Sequence, residues 1–460
     1  MGSEWKLTTL SNHIDIKHGF AFKGEYFVNY KSPDCLVTPG NFAIGGGFKE
    51  DKFKYYKGPV PEDYILEEND LILTMTDLSK EADTLGYSAI VPKFKNMRLL
   101  HNQRVGLVKF KDKELDRIYL YFLLRSREYR HHVISTATGT TVKHTSPKKI
   151  LSFEFFKPPK SEQERIGVYL LALERKIELN KKINQTLEQM AQAMFKSWFV
   201  DFDPVFDNLL EEHNNNLEKA SAYLTKKGAE DLIPKLQQRH QIQQTSDYKP
   251  LPDQIKKEFP SDFQHHEDMG WIPEGWATGN LHDIAELTNE RVDVCDLTIN
   301  NYISTENMLE GKKGVTEATS LPSVKTVPSF RVGQILVSNI RPYFKKIWLA
   351  TFDGGRSGDV LGFTSKGIVT KEYLYNFLYQ DSFFDFMMLT SKGAKMPRGD
   401  KVAIMDLNII IPTDILTHHY SKLVKDNHLL ANNSLYENKT LQNIREILLP
   451  ELISGNLKVG

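Results

Sequence analysis

The sequence predicts an α+β protein built twice, as two tandem α/β domains each followed by a long helix, and three observations carry that reading. The first is a heptad seam. Alternate steps of four and three from Ile166 give Leu170, Leu173, Ile177, Asn180, Asn184, Leu187, Ala191, Met194 and Trp198, a helix from about Glu162 to Trp198 with two asparagines in its apolar stripe. The second is an internal repeat. Tyr119-Leu120-Tyr121 returns as Tyr373-Leu374-Tyr375, and the same offset of 254 (119 to 373) takes Gly139 to Gly393, Ile150 to Ile404, Pro158 to Pro412, Asn184 to Asn438 and Leu187 to Leu441. A second helix, Tyr420 to Leu449, therefore supplies the partner that the seam needs. The third is the alternation of short β-rich runs with Gly, Pro and Asn punctuation ahead of each helix.

Taken in order, the first domain spans 1–159. Its expected strands are Leu36-Val37-Thr38, Leu71–Thr74, Ser88–Val91 and Val105–Val108, followed by a helix from Asp116 to Ser126. A polar loop, Ser135 to Thr145, leads into the strand Phe153–Phe156. Pro158-Pro159 stops that strand, and Ser161-x-x-Glu164 has the spacing of a capping box for the first long helix, 160–200. The connector, 201–270, is rich in Asn, Gln, Asp and Lys. A wholly structureless stretch of that length would be unusual, and Leu217 to Leu236 has helical composition. The second domain, 271–412, opens at Trp276 as the first does at Trp5. This offset is 271 (5 to 276) rather than 254, so the first domain carries 17 extra residues, which are expected in loops. The second helix and tail complete the chain, 413–460.

Composition is that of an ordinary globular protein, with 59 basic and 59 acidic residues balancing to zero. That balance argues mildly against a nucleic-acid binder. Its distribution says more: bases outnumber acids in the first copy, whereas the connector opens with Asp201, Asp203, Asp207, Glu211 and Glu212. No apolar run approaches the roughly 20 residues of a membrane helix and the start has no signal-peptide core, so a cytoplasmic protein is expected. The two cysteines, Cys35 and Cys295, fall in different copies and form neither a disulfide framework nor a metal knuckle.

Catalytic signals are weak. Gly40 to Gly45 has Walker spacing without the following Gly-Lys-Ser/Thr, and Pro33-Asp34 with Glu50-Asp51-Lys52 has a nuclease-like spacing that the second copy lacks. The pairs His131-His132, His265-His266 and His418-His419 lack the accompanying ligands of a metal site. The polar loops are more informative because they are duplicated. Lys143 and His144 in one, and Lys395 and Arg398 in the other, are the residue types that phosphate and base-edge contacts require.

At the helices the residues carry a resemblance. Ser161-Glu162-Gln163-Glu164-Arg165-Ile166, the run Ile183-Asn184-Gln185-Thr186-Leu187-Glu188-Gln189-Met190 continuing to Trp198-Phe199-Val200-Asp201-Phe202-Asp203-Pro204, Gly270-Trp271-Ile272-Pro273, and Leu448-Leu449-Pro450-Glu451-Leu452-Ile453-Ser454-Gly455 resemble the DNA-specificity (S) subunit of type I restriction-modification systems. The resemblance implies two target-recognition domains joined by two antiparallel spacer helices in a coiled coil with pseudo-two-fold symmetry. Helix pairing is assigned to Ile166, Leu170, Leu173, Ile177, Asn180, Asn184, Leu187, Met194, Asn438 and Leu441. Roughly 37 helical residues at ~1.5 Å each give ~55 Å, enough to hold two readers about one DNA turn, ~34 Å, apart.

What the resemblance further implies is a non-catalytic chain that binds double-stranded DNA at a bipartite target, without metal or cofactor of its own. Its partners would be two methyltransferase subunits, which bind S-adenosylmethionine and methylate adenine, and restriction/translocase subunits. The positions expected to contact DNA are Asn41, Thr74, Thr76, Gln103, Arg104, Lys143 and His144 in the first domain. In the second they are Asn307, Asn339, Arg341, Arg356, Lys392, Lys395 and Arg398. Arg341, held before Pro342, suits a bidentate contact to guanine, with a carboxylate-paired structural arginine as the alternative. Two competing readings are a self-sufficient restriction endonuclease using Asp34, Glu50 and Lys52, and a coiled-coil scaffold that binds protein.

Overall fold

The computed structural model of the protein describes residues 5–50, 53–77, 79, 81–140 and 142–458. The chain divides into two compact units, Met1–Asn180 with Leu435–Gly460, and Lys181–Ser434. In the first unit Lys6–Thr9 pairs antiparallel with Glu154–Lys157. A four-stranded antiparallel sheet follows the order Ile14–His18, Val105–Phe110, Leu71–Thr74, Ser88–Ile90. A second, five-stranded sheet is centred on the parallel pair Asp34–Val37 and Arg98–His101. The helix Arg117–Leu123 starts where the Asp116 carboxylate accepts the N–H groups of Ile118 and Tyr119, both at 2.9 Å.

The second unit repeats this plan. Ala277–Asn280 pairs with Asn408–Ile411, a four-stranded sheet runs Ala285–Leu287, Val360–Ser365, Ile335–Ser338, Ile347–Leu349, and Tyr302–Ile303 lies parallel to Gly354–Arg356. Strand register locates the 17 extra residues. The offset is 271 at Ile16 and Leu287, 266 at Val37 and Ile303, 264 at Leu73 and Val337, 259 at Ser88 and Ile347, and 255 at Gly106 and Leu361. Four drops fall in connections between strands and the last, from 255 to 254, falls between strand Val105–Phe110 and helix Arg117–Leu123, all places where added length costs little.

The long helices run Lys160–Phe199 and Asp414–Ser454, longer at both ends than the periodicity predicts. The first starts one residue before Ser161, because the Pro159 carbonyl accepts the N–H groups of Glu162 and Gln163, both at 3.0 Å. The capping box from Ser161 therefore does not form. The buried Gln163 amide ties this end down instead, accepting from the Asp116 N–H at 2.7 Å and donating to the carbonyls of Glu114 and Pro158.

The helix seam follows the heptad in each unit. In the first, Ile166 and Leu170 share a core with Leu452 and Ile453, Ile177 is buried, and Leu173 and Leu441 are half-buried. Asn180, 1% exposed, donates to Asn438 Oδ1 at 2.9 Å and to Glu437 at 2.7 Å. In the second unit Asn184 donates to the Ala431 carbonyl at 3.0 Å, with Leu187 and Met194 half-buried and Ala191 and Trp198 buried. The Tyr420 hydroxyl donates to the Ala191 carbonyl at 3.1 Å, so in both units rising numbers on one helix meet falling numbers on the other, the antiparallel sense. Phe195, which the seam omits, is fully buried, with ring centroids 5.3 Å from Tyr373 and 5.8 Å from Tyr420. The buried stripe is wider than a heptad because the helix also packs on its own unit's recognition domain.

The connector is structured. Phe202 takes the left-handed conformation (φ 54°), Ser197 bonds Asp203 at 2.8 Å, and Pro204 opens the helix Asp203–Glu212. Helices Leu217–Lys227 and Ile233–Gln243 follow, separated at Gly228 (φ +79°), so the single helical stretch expected over Leu217 to Leu236 is two. Phe206, Leu210, Leu224, Leu236 and Phe259 join Phe199 and Trp276 in one core, and Arg239 clamps Asp207 through two bonds of 3.0 and 2.6 Å.

The Asn180–Asn438 bond gives the first stability test. Asn180→Ala leaves the Asn438 amide oxygen without this donor in an apolar seam, and we expect a loss of about 1–3 kcal/mol in chemical denaturation. Wild-type stability in this variant would show that the buried amide pair contributes no net energy.

Candidate nucleic-acid interface

Each unit closes a polar hairpin against the end of the same strand. In the first, Thr138 and His144 exchange backbone bonds of 2.9 and 2.8 Å, and the Thr145 N–H reaches the Met75 carbonyl at 3.0 Å just beyond strand Leu71–Thr74. In the second, Lys392 and Arg398 exchange bonds of 2.9 and 3.0 Å, and the Gly399 N–H reaches the Asn339 carbonyl at 3.1 Å beyond strand Ile335–Ser338. The hairpin tips need glycine: Gly139 and Gly393 have φ of +97° and +96°, and a Cβ on Gly139 would stand 2.0 Å from the Val142 carbonyl oxygen. A third segment joins each cluster. Met75 N–H donates to the Arg104 carbonyl at 2.9 Å and Asn339 N–H to the Asp359 carbonyl at 2.8 Å.

These bonds bring Gln103, Arg104, Lys143 and His144 to one strand end in the first unit, and Arg341, Lys392, Lys395 and Arg398 to the equivalent end in the second. Gln103, Arg104 and Lys395 are exposed, Lys143 and Arg341 half-buried, and none of these side chains takes a partner among the described residues. Arg341 sits in the left-handed region (φ 50°) with its Nε buried and unbonded. The carboxylate-paired alternative for it therefore fails. Three others are engaged at the surface: His144 with Thr76 at 3.1 Å, Arg398 with Asp359 at 3.3 Å, and Lys392 with Asp400 at 2.5 Å. Exposed contacts of this kind contribute little and yield readily to a stronger ligand.

Six expected contact residues are corrected, because the fold uses them internally. Asn41 accepts from the Thr38 N–H at 2.9 Å and donates to the Lys49 carbonyl, and Asn307 repeats the motif, accepting from the Ser304 N–H at 2.6 Å and donating to the Tyr302 and Thr316 carbonyls. Both are buried loop pins. Thr74 is fully buried and bonds the Thr84 carbonyl, Thr76 is buried beneath His144, and the buried Asn339 donates to the Gly399 carbonyl. Arg356, 4% exposed, bonds the carbonyls of Val360 and Thr288, and burial pushes its pKa down to about 10. Its counterpart is His101, whose Nε2 bonds the Val105 carbonyl at 2.8 Å. Sequence composition marks these as polar, and only the packing shows them satisfied inside.

Two residues of the clusters were missed by sequence reasoning, Asp77 and Asp359. Strand register places Asp77 opposite Lys143, as backbone bonding places Arg341 against Pro397. Burial raises the Asp77 carboxyl, but bonds from Thr84 and Ser79 outweigh it and hold the group below its usual range. It closes its own loop. Comparing the copies at the local offset of 255 (104 to 359), rather than 254, would have set Asp359 opposite Arg104. The other candidates disperse: Asp34 is held by Arg98 through bonds of 2.6 and 2.7 Å, Glu50 is exposed, and Lys52 lies outside the described residues. His132 bonds the Lys149 carbonyl, His266 bonds Thr278, and His418 bonds the Asp414 carbonyl. Among the described residues no helix is long and apolar enough to cross a membrane.

Two copies of one α+β fold, each offering cations at the same strand end, define a duplicated ligand-reading scaffold. The type I restriction modification DNA specificity domain matches residues 4–189. The HindI specificity subunit of Haemophilus influenzae is 25% identical over 370 residues, 74% of this chain and 77% of that protein. The MjaIX specificity subunit of Methanocaldococcus jannaschii is 24% identical over 350 residues, 74% and 69% of the two chains. The fold matches the crystal structure of a type I restriction-modification S subunit from M. genitalium at a TM-score of 0.50, with 13% identity over 98% of this chain and 96% of the other. Residues 4–189 therefore match the type I restriction modification DNA specificity domain, and about three quarters of the chain is similar to type I restriction enzyme specificity subunits.

His101 makes the first unit acid-sensitive. Burial pushes its pKa down to about 4 from the ordinary 6.5, against the opposing bond to the Val105 carbonyl. Below 6.5 the unfolded chain takes up a proton that the folded chain refuses until about 4, so this contribution is complete above 6.5 and fades as pH falls to 4. The loss should reach about 3 kcal/mol. Denaturation at stepped pH should show His101→Gln flatter than wild type across that window, and parallel curves would remove His101 as the cause.

Proposed function

We propose that the chain is the sequence-reading, non-catalytic subunit of a type I restriction-modification complex, each unit presenting one DNA half-site reader. The observation that supports this best is the repeated strand-end cluster: unrelated side chains stand on the same hydrogen-bonded frame, so the frame is common and the reading differs. Cations without partners suit phosphate and guanine contacts, and a half-buried arginine with an unbonded Nε has desolvation to recover on binding. Adenine methylation and cleavage belong to partner methyltransferase and restriction/translocase subunits acting in the cytoplasm, with S-adenosylmethionine held by the methyltransferase.

Arg341 and Lys395 separate base reading from phosphate attraction. In the assembled methyltransferase, Arg341→Ala should relax base preference within one half-site, costing ~1–3 kcal/mol there. Lys395→Ala should weaken all sequences alike and reduce the salt slope by about one unit. Binding to single-base variants of the target at two salt concentrations measures both. Losses from Arg341→Ala spread over both half-sites would refute the modular reading.

A further inference from the structure

The two strand-end clusters carry opposite charges at equivalent backbone positions. Arg104 and Asp359 occupy the same place, each lending its carbonyl to the residue after the central strand, at 2.9 Å to Met75 N–H and 2.8 Å to Asn339 N–H. Asp77 and Arg341 likewise both follow that strand by the same spacing, three residues beyond Thr74 and Ser338. In the first unit the acid is turned inward and consumed by Ser79 and Thr84, and the base is exposed without a partner. In the second unit the base is half-buried without a partner, and the acid stands at the surface.

Asp359 has one bond to its side chain, the Arg398 pair at 3.3 Å, with side-chain exposures of 55% for Arg398 and 39% for Asp359. One of its oxygens can accept a further donor without breaking that pair. Phosphate is excluded as the natural partner, because a carboxylate repels it, and Asp359 lines a cleft that also carries Glu306 and Glu317. What remains on a DNA groove edge is an exocyclic amino group. Cytosine N4 and adenine N6 donate in the major groove, whereas guanine O6 and thymine O4 offer acceptors that a carboxylate repels.

We propose that Asp359 is a specificity-determining residue that selects an amino base, cytosine or adenine, at one position of the half-site read by the second unit. Arg398 holds its carboxylate in place. The first unit, with Arg104 at the equivalent position, selects a keto base or a phosphate there. This rests on the proposed DNA-reading function, and it adds that one charge reversal on a shared frame inverts the class of base accepted.

The test uses the complete chain assembled with its methyltransferase and a panel of duplexes varied one base pair at a time. Asp359→Asn can turn its amide to donate or accept, so it should lose discrimination at a single position of one half-site by roughly tenfold or more. Asp359→Arg, which installs the first unit's residue, should move that position from amino to keto preference. Arg398→Ala should weaken the same preference less than Asp359→Asn does. Should both Asp359 variants keep every base preference and change only overall affinity, Asp359 is a support for Arg398 and the proposal fails. A wild-type complex with no base preference anywhere would instead overturn the DNA-reading function itself. Thermal unfolding of each variant, expected little changed for a half-buried side chain whose one bond is the surface pair to Arg398, separates a lost contact from a lost fold.

Discussion

Burial of one wide stripe on each long helix is the constraint on which everything else depends. Neither recognition fold closes its core alone. In the first unit Ile166 and Leu170 from one helix and Leu452 and Ile453 from the other complete a cluster with Tyr119, Phe122 and Phe153. In the second, Phe195, Trp198 and Phe199 meet Leu416, Tyr420 and Val424 against Tyr373 and Trp276. An aromatic core of this kind loses about 3–5 kcal/mol for each large ring removed. Helix pairing and domain folding are in that sense one event within each unit.

Polar groups then fix register. A wholly apolar seam tolerates a slip of one heptad, whereas Asn180 against Asn438 and Asn184 against the Ala431 carbonyl do not. The two units reinforce their junctions by different chemistry. In the first, Glu174 takes Arg125 at 2.6 Å, Arg445 at 3.3 Å and the Tyr121 hydroxyl at 2.9 Å, joining recognition domain and both helices. In the second, an amide chain runs from Gln380 through Gln192 to Asn376, and His428 packs edge-on against Tyr375. The offset of 254 sets His428 where Glu174 stands, so the copies have kept the geometry and exchanged the ion pair for rings and amides.

The same separation of frame from side chain explains the interface. Backbone bonds hold the hairpin, the strand end and the neighbouring turn in one arrangement in both units, which leaves the side chains free to diverge. His101 and Arg356 show the inward form of that divergence, both bonding the carbonyl four residues on while differing in charge. Arg104 and Asp359 show the outward form, while Asp77 is turned inward where Arg341 stands half-buried. Backbone hydrogen bonds tolerate any side chain, and a reader that must change its target without unfolding needs that tolerance.

The sequence by itself determined the duplication, five strands of the first domain, both long helices and the seam down to its asparagines, because helical and strand periodicities are local and the offset of 254 survives wherever loop lengths match. It also located the two polar loops, through their equivalent placement in both copies, although their hairpin bonds and left-handed glycines are visible only in the structure. It did not decide which polar residues face a ligand. Asn41, Thr74, Thr76, Asn307, Asn339 and Arg356 have the composition of contacts and are buried pins, since satisfaction of a polar group depends on carbonyls brought from distant segments. Nor did it show that residues following Phe199 build helices onto the second core, or that Asp359 opposes Arg104. Those are consequences of chain segments meeting across a fold, and the loop lengths that shift the offset from 271 to 254 hide them from a one-dimensional comparison.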